Sequence, residues 1–161
     1  MKRKVFYSFH YDNDVMRTQQ IRNIGMLEGN TPVSVNDWET VKRGGDDAIK
    51  KWIDDNMQDK DCVIVLVGSE TANRPWVKYE IRKAWDSGKG LFGIYIHNLK
   101  DPREGVCEKG KNPFEEIWLT DGNRLSSRVS CYNPDSGDAY NDIAQNLEKW
   151  VEIAIRNKRI G

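Results

Sequence analysis

The unbroken apolar run Cys62-Val63-Ile64-Val65-Leu66-Val67 constrains the fold of this chain more than any other feature. Side chains alternate between the two faces of a strand, so a run apolar at every position must be covered on both sides. That is the situation of a strand in the middle of a parallel sheet. Such a sheet needs helices above and below it, reached by right-handed crossovers. The run stops at Gly68-Ser69, which marks the end of the strand and the start of a loop.

The rest of the chain supplies the alternation this requires. Residues 4–9 read as a first strand, and Asp12, Asn13 or Asp14 is available to cap a helix carrying Val15, Ile21, Ile24 and Leu27 before Gly29-Asn30 stops it. Residues 32–37 read as a short second strand. Gly44-Gly45-Asp46 opens a helix with Ala48, Ile49, Trp52, Ile53 and Met57 on one face. After the central strand, Pro75 fixes the start of another helix, with Val77, Ile81, Ala84 and Trp85 as its buried face and Trp76 and Glu80 on its flank. Residues 91–96 form a fourth strand and residues 128–132 a fifth, at the edge. Between them, residues 97–125 are rich in Gly, Pro, Asn and charge and read as a long surface excursion anchored by Phe114, Ile117 and Trp118. Tyr140, Ile143, Ala144, Leu147, Trp150, Val151 and Ala154 make a closing amphipathic helix with Asp138 as its cap.

The expectation is one α/β domain over residues 1–161: a five-stranded, mainly parallel sheet with helices on both faces. With strand order two-one-three-four-five, ligands bind outside the carboxyl ends of the first and third strands. Ser8-Phe9-His10-Tyr11-Asp12 would line one side of that crevice, and Gly68-Ser69-Glu70 with the start of the Glu80 helix the other.

Composition narrows the function. Lys plus Arg equals Asp plus Glu at 25 each, so nothing draws the chain to nucleic acid or to an anionic membrane. Cys62, Cys107 and Cys131 are odd in number and widely spaced, which fits neither a disulfide framework nor a zinc site, and no metal is expected. The basic start Met1-Lys2-Arg3-Lys4 precedes an apolar stretch too short for a signal peptide or a membrane span. A soluble cytoplasmic protein is expected. The strand ends Ser8-Phe9-His10 and Gly68-Ser69 lack the aspartate cluster of a response regulator, and Phe9-His10-Tyr11-Asp12 lacks the phosphate loop of a flavodoxin.

The strand and loop Val5-Phe6-Tyr7-Ser8-Phe9-His10-Tyr11-Asp12 resemble the first box of Toll/interleukin-1 receptor (TIR) domains, and Ser69 through Trp76-Val77-Lys78-Tyr79-Glu80-Ile81 resembles their serine loop and Trp-Cys-x-x-Glu-Leu helix. Trp38-Glu39 followed by Asp47-Ala48-Ile49-Lys50-Lys51-Trp52-Ile53 is similar to the segment leading into the family's third strand. More narrowly, Tyr7-Ser8-Phe9-His10-Tyr11, the stretch from Asn73-Arg74-Pro75 to Ile81, and Asn112-Pro113-Phe114 resemble bacterial TIR-like proteins of the Thoeris antiphage system. The resemblance covers about the first two thirds of the chain. Two departures stand out. Asn36-Asp37-Trp38-Glu39-Thr40 replaces the family's Arg-Asp-x-x-Pro-Gly loop, and Val77 replaces the cysteine after the tryptophan.

The resemblance implies a flavodoxin-like TIR fold and cleavage of NAD, as substrate rather than cofactor, at its nicotinamide–ribose bond. It further implies an ADP-ribose-derived signal, cyclic in some members, for a separately encoded effector, with TIR–TIR self-association. Glu80 takes the place of the catalytic glutamate, and its carboxylate suits a ribose that gains positive charge as the glycosidic bond breaks. Phe6, Ser8, Phe9, His10, Asp37, Ser69 and Trp76 are the candidate substrate contacts. Each has a plainer reading. Ser8 can end the strand with a turn bond, Trp76 can be wall or core, and His10 can be structural. Of Phe6, Tyr7 and Phe9, one face of the strand is core while the other is free to stack on a base. Asp37 can cap the next segment, and His97 is expected to be satisfied locally. The rival function is a non-catalytic TIR–TIR module, and a nucleoside deoxyribosyltransferase is a distant enzymatic alternative.

Overall fold

The computed structural model describes residues 2–29, 40–101 and 105–157. Its centre is a five-stranded sheet of order β2-β1-β3-β4-β5, with every neighbouring pair parallel. The strands are β1 (Lys4–Ser8), β2 (Glu28–Gly29), β3 (Cys62–Val67), β4 (Gly90–Tyr95) and β5 (Cys131–Tyr132). The α-helices with both ends among the described residues are α1 (Tyr11–Arg22), α2 (Gly45–Met57), α3 (Pro75–Asp86) and α4 (Ala139–Arg156). All residues of β3 are buried, as its composition requires. This is the flavodoxin-like α/β arrangement expected from the sequence.

Two clusters of apolar side chains cover the sheet. Val5, Tyr7, Ile64 and Leu66 pack with Ile21 of α1 and with Ile143, Leu147 and Val151 of α4. On the other face, Phe6, Val63, Val65 and Val67 meet Ile49, Ile53 and Met57 of α2 and Val77, Ile81 and Ala84 of α3. Tyr79 donates to Asp54 Oδ1 at 2.9 Å and Lys83 lies 3.7 Å from the same oxygen, which ties α3 to α2.

Three boundaries differ from the sequence reading. Helix α1 ends at Arg22 rather than near Leu27, because Gly25 turns the chain at φ 80°, while Ile24 and Leu27 still pack on the core from the turn. The strand beside β1 is Glu28–Gly29, so Gly29 lies in a strand and does not stop a helix; residues 32–37 lie outside the described residues. Strand β5 is confined to Cys131–Tyr132.

After β4 the chain makes its long excursion. Phe114 and Ile117 are buried as expected, with Leu125 beside them, and Gly93 leaves room for the Phe114 ring. Trp118 does not anchor: it is 57% exposed and stacks on the Arg124 guanidinium, 4.8 Å from its ring centroid, across a short antiparallel bridge. Among the described residues, no helix is long and apolar enough to cross a membrane.

Candidate active site

Helix α3 starts at Pro75, in the first-turn position that proline tolerates, after Arg74 in extended conformation. Its buried residues are Val77, Glu80, Ile81 and Ala84, the spacing of a single apolar stripe. Glu80 therefore occupies a core position rather than the flank, and only 8% of it is exposed. Trp85, expected on that face, is half-buried beside it.

A carboxyl group in that stripe needs a polar partner, and β1 supplies one. Ser8, the last residue of β1, pairs with Val65 of β3 and is fully buried. Its Oγ donates to Glu80 Oε1 at 2.6 Å, a short bond that strengthens when the carboxyl is ionised. Burial pushes the Glu80 carboxyl up to about 8, and the Ser8 bond opposes that rise. The site is thus a carboxyl poised near neutrality, at the carboxyl end of two adjacent parallel strands.

The other sequence candidates are distributed around this pair. Phe6 shares the Ser8 face but is buried in the core, with its ring edge-on to Trp52 at 6.3 Å. Phe9 is half-buried and packs on the opposite face, with the α1 and α4 cluster. Phe6 and Tyr7 thus put core on both faces of β1, and of the three aromatic residues Phe9, beyond the end of the strand, keeps partial exposure. His10 is half-buried at the N-cap of α1, where its carbonyl accepts from Asp14 N at 2.9 Å. Ser69 is exposed in the turn after β3, and Trp76 is half-buried with its ring edge-on to Tyr79 at 5.8 Å. Asp37 lies outside the described residues. His97 differs from expectation: its buried Nδ1 has no hydrogen-bond partner among the described residues.

Sequence reasoning missed the polar groups that hold the loops around this end of the sheet. Thr71 is fully buried; its Oγ1 accepts from Gly68 N at 2.8 Å and fixes the turn between β3 and α3. Arg17 of α1 is almost wholly buried, 3.3 Å from Asp14. It donates to the carbonyls of Leu99 at 2.9 Å and Gly105 at 2.8 Å, and Gln20 donates to that of Lys100 at 2.7 Å. These bonds strap the segment after β4 down onto α1. Asp14 in turn lies against Gly68, where a side chain would collide with its carboxylate. Polar residues of a helix often face water, so nothing local distinguishes Arg17, whose carbonyl partners are distant in sequence; Asp14, offered as a cap, lies instead inside α1, whose N-cap is His10.

A parallel sheet in this order, with a buried glutamate on the helix after β3 and a serine from the end of β1 bonded to it, defines a TIR-like domain. Residues 6–101 match the family described as Thoeris protein ThsB, TIR-like domain. A Bacillus cereus (strain MSX-D12) protein named as a candidate cyclic ADP-D-ribose synthase, ThsB1, is 35% identical over 133 residues, covering 78% of this chain and 69% of that protein. The chain belongs to this Thoeris TIR-like family.

Proposed function

We propose that this protein cleaves NAD at the nicotinamide–ribose bond and converts the ADP-ribosyl part into a small signal, of the cyclic ADP-ribose type, for a separately encoded antiphage effector. The observation that carries the reading is the buried Glu80–Ser8 pair at the carboxyl ends of β1 and β3. Family membership and the name of the 35% identical relative support it.

The chemistry needs one carboxylate. When the bond breaks, its electron pair goes to the nicotinamide nitrogen, and nicotinamide leaves neutral without an acid to protonate it. Positive charge gathers on ribose C1′, where a carboxylate stabilises it. A nucleophile then adds to C1′ and loses its proton: water gives ADP-ribose, and a group of the same molecule gives a cyclic product. Glu80 holds a proton more readily than an ordinary glutamate, and the cationic nicotinamide ring of bound NAD would favour its ionised form.

The test is to incubate the purified protein with NAD, with and without extract of infected cells, and identify products by mass spectrometry. Nicotinamide together with a cyclic ADP-ribose isomer is the expected result. Intact NAD under both conditions, with retained binding to other TIR domains, would favour the non-catalytic interaction module instead.

A further inference from the structure

We infer that Ser8 is a positioning residue for Glu80, aiming its carboxyl group through a direct hydrogen bond, and is not itself a substrate contact. The inference rests on the proposed role of Glu80. Its physical basis is separate: Ser8 is fully buried, and its hydroxyl is engaged by Glu80 Oε1 at 2.6 Å. A fully buried hydroxyl used in this way, at a strand end paired with Val65 of β3, is not turned toward a ligand.

Ser8 is also the group that offsets burial. The rise in the Glu80 carboxyl has desolvation as its cause, and the Ser8 bond alone opposes it. Other ionisable groups stand on the elements around Glu80: Lys78, Tyr79, Arg82 and Lys83 on its own helix, Lys4 and Tyr7 on β1, Cys62 on β3, Tyr95 on β4, and Lys50 and Asp54 on α2. None of them contributes to the shift among the described residues. Lys83 and Tyr79 are instead turned to Asp54. Without the serine hydroxyl, Glu80 would have no protein hydrogen-bond donor among the described residues, so it would keep its proton to higher pH.

The experiment follows the Glu80 carboxyl directly, by the pH dependence of its ¹³C chemical shift in carboxyl-labelled protein, with the resonance assigned by its loss in Glu80→Gln. Wild type should titrate near 8. Ser8→Ala should move the midpoint upward by about one pH unit, and Ser8→Thr, which keeps the donor, should restore it. Ser8→Cys, with a weaker donor of similar volume, should fall between and serves if the alanine variant does not fold. For NAD cleavage assayed with infected-cell extract, the rising limb of kcat/KM against pH should move with the midpoint, so that activity lost at neutral pH returns at alkaline pH. An unmoved midpoint in a folded Ser8 variant, or a moved midpoint with an unmoved rising limb, overturns the positioning role. Full activity of Glu80→Gln would instead remove the catalytic reading, even where the midpoint shift shows that the two side chains are coupled.

Discussion

Gly110 lies directly on the Gly68 carbonyl at the end of β3, so close that a Cβ on Gly110 would overlap that oxygen. The strap after β4 thus meets the loop that leads into the Glu80 helix, backbone against backbone. Gly110→Ala should force the two segments apart, since neither side of the contact is a flexible side chain. The expected result is faster amide exchange across residues 105–111 and a lower Tm. Gly105→Ala is the control: its φ of 73° is strained for alanine but its surroundings are open, so the cost should be only about 1 kcal/mol.

Removing the Arg17 side chain should destabilise the protein far more than a surface substitution would. Arg17 holds two carbonyls of the strap and faces Asp14, and both side chains are almost wholly buried. Arg17→Leu would leave the Asp14 charge without its counter-ion, a loss of about 3 to 5 kcal/mol by urea denaturation. Burial already raises the Asp14 carboxyl to about 6, and Arg17 restrains that rise. The loss should accordingly shrink toward pH 4, where Asp14 takes up a proton. A loss that stays constant with pH would mean that packing, not charge, is what Arg17 supplies.

Ile81 and Trp118 separate burial from size. Ile81 is fully buried among α3, β3 and α2 side chains, and Ile81→Ala should cost about 2 to 5 kcal/mol through the cavity it leaves. Trp118 is larger but exposed, with the Arg124 guanidinium as its stacking partner. Trp118→Ala should change stability by about 1 kcal/mol or less. Equal losses in chemical denaturation would mean that the 117–125 segment is built into the core more firmly than its exposure indicates.

The sheet was legible because its evidence is local. An unbroken apolar strand and the alternation of strands with helices call for a parallel sheet covered on both faces, and β2-β1-β3-β4-β5 is one of the orders that this alternation allows. The pairing of Glu28–Gly29 with β1 leaves no trace in the sequence, because two residues carry no periodicity and their pairing is made by the backbone. Helix α1 reads longer in the sequence than it is, because Ile24 and Leu27 keep a helical rhythm while packing on the core from a turn. Glu80 stands out in the sequence, but its burial does not. The stripe Val77, Glu80, Ile81, Ala84 is apparent only once the carboxyl is admitted to it, and what admits it is Ser8, 72 residues away in the chain. Ser8, Glu80 and Phe6 do share a face, whereas the alternation that buried Phe6 sent Phe9 to the opposite one.

Glu80→Gln should abolish nicotinamide release and stabilise the fold in the same substitution. Loss of the charge at the reacting centre should lower the rate on the order of a hundredfold or more. The stability change follows from burial. The folded protein holds the Glu80 proton to about 8, against an ordinary value of 4.5, so the folded state binds that proton more tightly than the unfolded chain. The stability contributed by protonated Glu80 is complete below about 4.5 and is lost as pH rises through about 8. Glutamine keeps the shape and can accept the Ser8 hydrogen bond, but has no charge to bury. The variant should therefore melt close to wild type at pH 5 and clearly above it at pH 8.5, by on the order of a few kcal/mol. Thermal unfolding of both proteins across that range measures the difference. A gap that does not widen with pH would show that Glu80 carries its charge in the folded state at no cost, and that the site is open to water.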